Sequence, residues 1–413
     1  MVSIAFVGAM DYIMVARASL SSKIVLDIVF LLLNIRNLQI RGFEFVLLSF
    51  LLWSGLLGGM QLASGNPQYD FWRVVKDLVP AVLFFLKLGV FRQLLVEQQS
   101  YTRLIVVICS IFSAISILVF NALGGYSTGY VGLTPPVSML AAYALSTHSP
   151  MLFLLSCLII FASGKRSFLI SLIVGLVFAL LKLGKTGASN NKRWRFGFII
   201  GLFMLIAMGT QLVWENAMVD KVMYTVSSLQ ESGVGDKNTS TFKNAGVTTD
   251  QELLDAATGG RLREITAVIS EMKPIDWVVG AGAGFTYTLG VYDNVVVDRY
   301  ANTHFSPLSL TYKFGLPFAV IFYSWIIATV FSVQDLNRSL GFWVTLLVLF
   351  VLQSIFAYNL FVESLLPFAI ANVQYQKSML DQKSRVSMTR FHRPRRPQPP
   401  RWQVNQNIIN SES

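Results

Sequence analysis

The sequence predicts an all-α polytopic membrane protein with about 12 transmembrane helices and one large periplasmic loop that contains short helices. Of its 413 residues, 54% are hydrophobic and only 13% are charged, and the mean hydropathy is +0.57. A soluble domain carries about 25% charged residues. Apolar segments recur at lengths close to those needed to cross ~30 Å of hydrocarbon, and one long polar stretch, residues 215–304, interrupts them.

The apolar segments divide the chain into four parts. Residues 1–214 hold the first nine spans, 215–304 form the loop, 305–374 hold the last three spans, and 375–413 form a basic cytoplasmic tail that we expect to be disordered. Asp11 interrupts the first apolar segment, so we do not expect a cleavable signal there. The predicted spans are 1–16, 23–35, 43–64, 77–91, 103–121, 136–147, 150–163, 167–183, 196–214, 305–331, 341–356 and 358–374.

Lysine and arginine in short loops predict the orientation, because cytoplasmic loops are enriched in them. With twelve spans, four basic clusters fall on one side, which puts both termini in the cytoplasm and the 215–304 loop in the periplasm. The net charge of +11 therefore reflects topology rather than nucleic-acid binding. The clusters are Arg36 with Arg41; Arg92 with Arg103; Lys182, Lys185, Lys192, Arg193 and Arg195; and, in the tail, Lys377, Lys383, Arg385, Arg390, Arg393, Arg395, Arg396 and Arg401.

Three pairs of cations fall on the outward side, against this bias. A single outward cation is usually explained by a side chain that reaches the lipid head groups. Three pairs on one face instead indicate a functional site. The pairs are Arg73 with Lys76 at the start of the fourth span, Lys165 with Arg166 in an outer turn, and Arg261 with Arg263 in the loop.

The loop contains a predicted helix that begins at Arg261 and ends before Lys273-Pro274. Its apolar stripe is Ile265, Val268, Ile269 and Met272. Arginines in the first turn, next to free backbone N–H groups, suit a phosphate. The alternative is a surface helix whose arginines are only solvated.

Two further features of the loop bear on chemistry. Gly280–Gly284 resembles a nucleotide-binding fingerprint, but it lacks the βαβ context, so we expect it to form tight turns beside a ligand or a span. His304 stands where the loop re-enters the membrane and is a candidate base or phosphate ligand.

Cys109 and Cys157 lie in apolar segments and are expected to be buried and inert.

The order of these motifs resembles the bacterial O-antigen polymerase and O-antigen ligase family. The outer turn Ser163–Ser167 is followed by the loop helix at Gly260-Arg261, a glycine-rich stretch, Asn302-Thr303-His304, and Lys313–Leu316 at the next span. The earlier segment Leu133–Ala141 is similar to an element at the start of a middle span of that family. The recognisable landmarks cover residues 125–330.

The resemblance implies a C-type glycosyltransferase-like protein that uses an undecaprenyl-diphosphate-linked oligosaccharide as donor, without a metal or another cofactor. Arg166 and Arg261 would hold the diphosphate, and His304 would orient or deprotonate the acceptor hydroxyl or hold the phosphate. Further diphosphate contacts would come from Arg263, Lys165, Arg73 and Lys76.

The leading functional hypothesis is polymerisation of O-antigen repeat units at the periplasmic face of the bacterial inner membrane. Expected partners are membrane lipids and a chain-length regulator and flippase of the same pathway. Two alternatives stay open. One is ligation of the finished glycan to lipid A-core, and the other is a transporter such as a lipid-linked oligosaccharide flippase.

Overall fold

The computed structural model is mostly helical, as the sequence predicts. It describes residues 20–97, 134–147, 149–163, 166–183, 199, 261–292, 295–300, 303, 305–333, 338–356, 361 and 365–391. The predicted spans 1–16, 103–121 and 196–214 therefore lie wholly or almost wholly outside the described residues. The helices are α1 (Leu20–Leu33), α2 (Gly42–Ala63), α3 (Phe71–Glu97), α4 (Thr134–Thr147), α5 (Pro150–Ser163), α6 (Arg166–Leu183), α7 (Arg261–Glu271), α8 (Asp276–Val279), α9 (Ser306–Phe314), α10 (Leu316–Phe331), α11 (Arg338–Phe356) and α12 (Leu365–Phe391).

The long helices form one packed bundle. Helix α11 lies against α4, α6 and α12, while α3 lies against α12, α2 and α1. One continuous apolar core joins them, with aromatic contacts such as the ring pairs of Phe84 with Phe322 and Trp343 with Phe368. Cys157 is buried in this core as a free thiol, as predicted.

Helix α2 is the one described helix that is both long and apolar enough to cross a membrane. Its N-terminus is capped because the Glu44 carboxylate accepts a hydrogen bond from the Arg41 backbone N–H at 3.0 Å. Only 22% of its apolar window is buried, so much of its surface is hydrophobic and exposed. Shorter apolar segments lie in α1, α4, α5, α10 and α11. The count of twelve spans stays a prediction.

The predicted span 305–331 is wrong as one helix. It is two helices, α9 and α10, separated at Gly315, whose φ is +90°. Pro317 follows in the first turn of α10. A proline can lie inside a helix, as Pro80 does in α3, so the break here comes from the positive φ of Gly315. Pro317 is tolerated in the first turn of α10, because a backbone N–H has no helical partner there.

Two other expectations need correction. The loop contains strands as well as helices: β1 (Tyr287–Tyr292) and β2 (Val295–Tyr300) pair antiparallel, with Tyr287 opposite Tyr300. The residues 375–391 are not disordered, because α12 continues through them to Phe391. The Pro-rich part from Arg393 onward lies outside the described residues.

Helix α3 carries polar clusters at both of its ends. The Arg92 guanidinium donates to both oxygens of Glu44 and, through Nε, to Gln374 at 2.9 Å. Arg73 lies near the other end, about 28 Å away at a rise of ~1.5 Å per residue. That separation is close to the ~30 Å thickness of a bilayer core. The loop residues from Gly280 onward pack at the Arg73 end, so the loop and the Arg92 cluster occupy opposite ends of the bundle.

We predict that Gly58→Ala destabilises the protein whereas Gly59→Ala does not. A Cβ at Gly58 would lie 2.1 Å from the Ala283 carbonyl oxygen, but a Cβ at Gly59 would meet nothing within 4 Å. The expected loss for Gly58→Ala is about 1–3 kcal/mol, and Gly59→Ala is expected to be neutral or to gain up to ~1 kcal/mol. Thermal unfolding of the two purified variants measures the difference. Equal melting temperatures would mean that the loop does not pack on α2.

Candidate functional site

The glycine segment, Gly280–Gly284, lies where α2, α3 and α9 meet. Its three glycines have φ of +81°, +106° and +84°, and residues other than glycine rarely adopt such backbone angles. A Cβ on Gly284 would come within 2.4 Å of Val74, so the backbone passes directly against α3. The prediction of tight turns is confirmed, and the turns lie against α2 and α3.

The break between α9 and α10 frees backbone carbonyls, and the neighbouring segments satisfy them. The Ala281 N–H donates to the Tyr312 carbonyl at 2.6 Å, and the Ser54 hydroxyl donates to the Lys313 carbonyl at 2.7 Å. In return, the Ala283 N–H donates to the Ser54 carbonyl at 3.1 Å. Buried backbone groups need such partners, so the glycine segment and the break stabilise each other.

A buried ion pair lies at the centre of this junction. The Lys313 Nζ is 2.6 Å from Asp77 Oδ1, and both side chains are only 4% exposed. The other carboxylate oxygen of Asp77 accepts the Gly284 N–H at 3.0 Å. One carboxylate thus connects α3, the broken helix and the glycine segment.

Arg73 lies one turn before Asp77 on α3 and is close enough to Lys313 for the two cations to interact electrostatically. Lys76 is exposed at the same end of α3. The structure therefore brings Arg73 near another cation, Lys313, which sequence reasoning treated only as a family landmark. Because Lys313 is already paired with Asp77, the cations here that suit an anionic ligand are Arg73 and Lys76.

The loop helix α7 packs against this junction. Val268 and Met272 are buried with Phe285, Leu308 and Tyr312 in a second hydrophobic cluster. The predicted apolar stripe is correct at these positions but wrong at Ile269, which is 48% exposed. The buried face of α7 carries Glu264 and Val268, which lie one turn apart. Helix α7 begins at Arg261 and ends before Lys273-Pro274, as predicted.

Glu271, at the last turn of α7, connects the helix to both neighbouring segments. Its carboxylate accepts the Thr288 N–H of β1 at 2.8 Å and the Gln68 side-chain amide at 3.2 Å. Gln68 belongs to the turn between α2 and α3, and its carbonyl accepts the Thr286 N–H at 3.0 Å. The loop helix, the hairpin and the α2–α3 turn are therefore held in one arrangement.

The remaining predicted site residues are described only in part. Arg261 and Arg166 are the first residues that the structure describes in α7 and α6. The side chains of Arg261, Arg263 and Arg166 lie outside the described part of the chain, as do Lys165 and His304. Next to His304, Thr303 is fully buried, and its hydroxyl lies 2.8 Å from the Ser309 hydroxyl.

Tyr69 has a structural position rather than a lipid-facing one. Its hydroxyl donates to the Ala281 carbonyl at 2.6 Å, and its ring contacts Phe285 edge-on. Burial, with a smaller contribution from the Asp276 carboxylate, raises the pKa of Tyr69 to about 12. Trp72, by contrast, is 66% exposed at the start of α3, which suits either a membrane interface or a sugar ring.

Comparisons with protein-family models, with curated proteins and with solved structures found no match to this chain.

We predict that Tyr69→Phe lowers the free energy of unfolding by about 1 kcal/mol, because the buried Ala281 carbonyl loses its donor. The pKa of Tyr69 in the folded protein, about 12, exceeds the ordinary 10.0. The folded state therefore favours the neutral phenol, and the advantage of the wild type over the variant should shrink as the pH rises above about 10. Unfolding measured at neutral and alkaline pH, with Trp72→Phe as the exposed control, tests both points. A constant difference across this range would contradict the assignment.

Proposed function

We propose that this protein is a membrane-embedded, C-type glycosyltransferase-like polymerase. It would join undecaprenyl-diphosphate-linked repeat units of O-antigen or a related surface polysaccharide at the periplasmic face of the bacterial inner membrane. The observation that carries the proposal is the docking of the loop onto the end of α3 that bears Arg73 and Lys76. The loop brings with it α7, which opens with Arg261.

Exposed apolar side chains support a membrane location. Helix α2 exposes Leu52, Trp53, Leu56 and Met60, each by 48% or more, and α10 exposes Phe331 by 60%. Contiguous exposed apolar surface of this kind is costly in water and favourable in lipid. The polar clusters at the two ends of α3, about 28 Å apart, match the two faces of a bilayer.

The cations near the glycine segment suit the chemistry of a lipid diphosphate donor. In the transfer, the acceptor hydroxyl oxygen bonds to the anomeric carbon, and the bond from that carbon to the diphosphate oxygen breaks. Negative charge then grows on the leaving diphosphate, where Arg261, Arg166 and Arg73 would stabilise it without a metal. Attack from the opposite face inverts the anomeric centre, and the hydroxyl proton would pass to a base, for which His304 is the candidate.

Ligation to lipid A-core is the close alternative, because a ligase would use the same donor and differ only in its acceptor. Purified protein incubated with lipid-linked repeat units alone separates the two. A polymerase lengthens the glycan in that mixture, whereas a pure ligase forms no product until lipid A-core is added.

A transporter is the second candidate function, and two observations favour it. The helix broken at Gly315 resembles the discontinuous helices of transporters, and buried ion pairs such as Lys87–Asp27, with 2.7 Å between their charged atoms, occur within the bundle. Glycosyl transfer in detergent, where no transmembrane compartment exists, would exclude transport as the sole activity. Vectorial movement of the lipid-linked glycan in sealed vesicles, without any lengthening, would exclude the polymerase.

We predict that Arg261→Ala lowers the rate of chain extension by about 10²–10³-fold, the usual effect of removing one transition-state donor. Lys273→Ala is the matched control, since this exposed cation lies just beyond the other end of α7. It should keep the wild-type rate. Glycan length is measured on gels with variants expressed at equal levels in the membrane. Wild-type polysaccharide from Arg261→Ala would refute the diphosphate contact.

His304→Ala is expected to reduce extension severely as well, and the pH profile separates its two candidate roles. Loss of a base removes the fall in rate at low pH that protonation of the histidine causes. Loss of a phosphate ligand instead raises KM for the donor and leaves the shape of the profile unchanged. Wild-type extension by His304→Ala at every pH would contradict both roles.

A further inference from the structure

The junction between the loop and the bundle depends on one carboxylate. One oxygen of Asp77 accepts a hydrogen bond from the Lys313 ammonium at 2.6 Å, and the other accepts one from the Gly284 N–H at 3.0 Å. Gly284 has a φ of +84° and lies against Val74, so this stretch of backbone fits only in one position. A bidentate acceptor of this kind specifies geometry as well as contributing energy.

The glycine segment transmits that geometry to α7. Ala281 within the segment and Phe285 just after it are buried in one cluster with Val268 and Met272 of the loop helix. Glu271 of the same helix accepts the Thr288 N–H at 2.8 Å, just after the segment. A displacement of Gly284 therefore displaces the helix that begins at Arg261.

We infer that Asp77 is a positioning residue, which fixes α7 relative to Arg73 through the Gly284 N–H and the Lys313 ammonium. The role of Asp77 in the reaction is to hold Arg261 where the leaving diphosphate forms, and this role rests on the proposed function. The Asp77 carboxylate is only 4% exposed, and both of its oxygens are held by protein partners. A shift of about 1 Å in a catalytic group lowers the rate about 100-fold. Loss of the Asp77–Lys313 pair should therefore affect the turnover rate more than the affinity for the donor.

The protein offers a matched control on the same helix. Lys87 of α3 forms a buried ion pair with Asp27 of α1 at 2.7 Å, with side chains 1% and 12% exposed. This pair joins α3 to another helix of the bundle, α1. Both pairs join a lysine to an aspartate, and both include a residue of α3. They differ because only the Asp77–Lys313 pair has a carboxylate that also binds the Gly284 N–H of the loop.

The test uses double variants, because a single substitution leaves a buried unpaired charge and destabilises the whole protein. Asp77→Leu with Lys313→Met removes the pair and the acceptor for Gly284. Asp77→Asn with Lys313→Gln keeps neutral hydrogen bonds in the same places. Asp27→Leu with Lys87→Met is the control.

Hydrogen–deuterium exchange of the purified full-length protein reads the positioning without any substrate. Asp77→Leu with Lys313→Met should speed exchange in the peptides that cover 261–272 and 280–288 by at least about ten-fold, while the other two double variants keep wild-type protection there. Unchanged exchange in these peptides, or an equal loss of protection in the control, would overturn the inference.

Turnover with lipid-linked repeat units then tests the reaction role. Asp77→Leu with Lys313→Met should lower kcat by about 100-fold with little change in KM, and the Asn/Gln variant should restore most of the rate. A wild-type kcat in the Leu/Met variant would overturn the role in the reaction. If the wild-type protein itself transfers no glycan, the proposed function fails instead, and the exchange measurement still decides whether Asp77 positions α7.

Discussion

The described structure depends on how α3 pairs its charges inside an apolar bundle. Three charged side chains along this helix, Asp77, Lys87 and Arg92, each meet an opposite charge on another segment. An unpaired charge in such surroundings costs several kcal/mol, so each pair strongly favours one position of its partner helix. Lys87 and Arg92 connect α3 to α1 and α2, while Asp77 connects it to α9 and the loop.

The second constraint is the mutual satisfaction of two irregular segments. The break at Gly315 leaves carbonyls without helical partners, and the glycine segment supplies an N–H group while α2 supplies the Ser54 hydroxyl. Buried backbone groups outside a helix must find hydrogen-bond partners elsewhere in the protein. This requirement explains why the glycine segment packs between α2, α3 and α9, and why its glycines cannot carry side chains.

Local patterns in the sequence predicted much of this fold. The apolar run at 43–64 became α2, Gly42–Ala63, and α7 begins at Arg261 as its flanking residues indicate. Two departures from the predicted fold also have local signals in the sequence: Gly315, followed by Pro317, interrupts a helix, and the valines at 295–297 favour a strand.

The candidate site was only partly predictable. Outward cations drew attention to Arg73 and Lys76, but the partnership of Asp77 with Lys313 joins residues 236 positions apart. No periodicity or spacing pairs such residues, because the chain's path through the bundle decides their contact. From the sequence alone, Asp77 also looks like an ordinary carboxylate that balances the nearby Arg73 and Lys76 on the same helix.

The most direct test of a diphosphate site at the Arg73 end of α3 is binding of undecaprenyl diphosphate to the purified protein, measured by native mass spectrometry or calorimetry. We predict saturable binding at one site, weakened about ten-fold or more by Arg73→Ala, the loss expected for one hydrogen bond to a charged group. Lys377→Ala, at the opposite end of the bundle on α12, should bind as the wild type does. Equal binding by wild type and Arg73→Ala would contradict a diphosphate site at this end of α3.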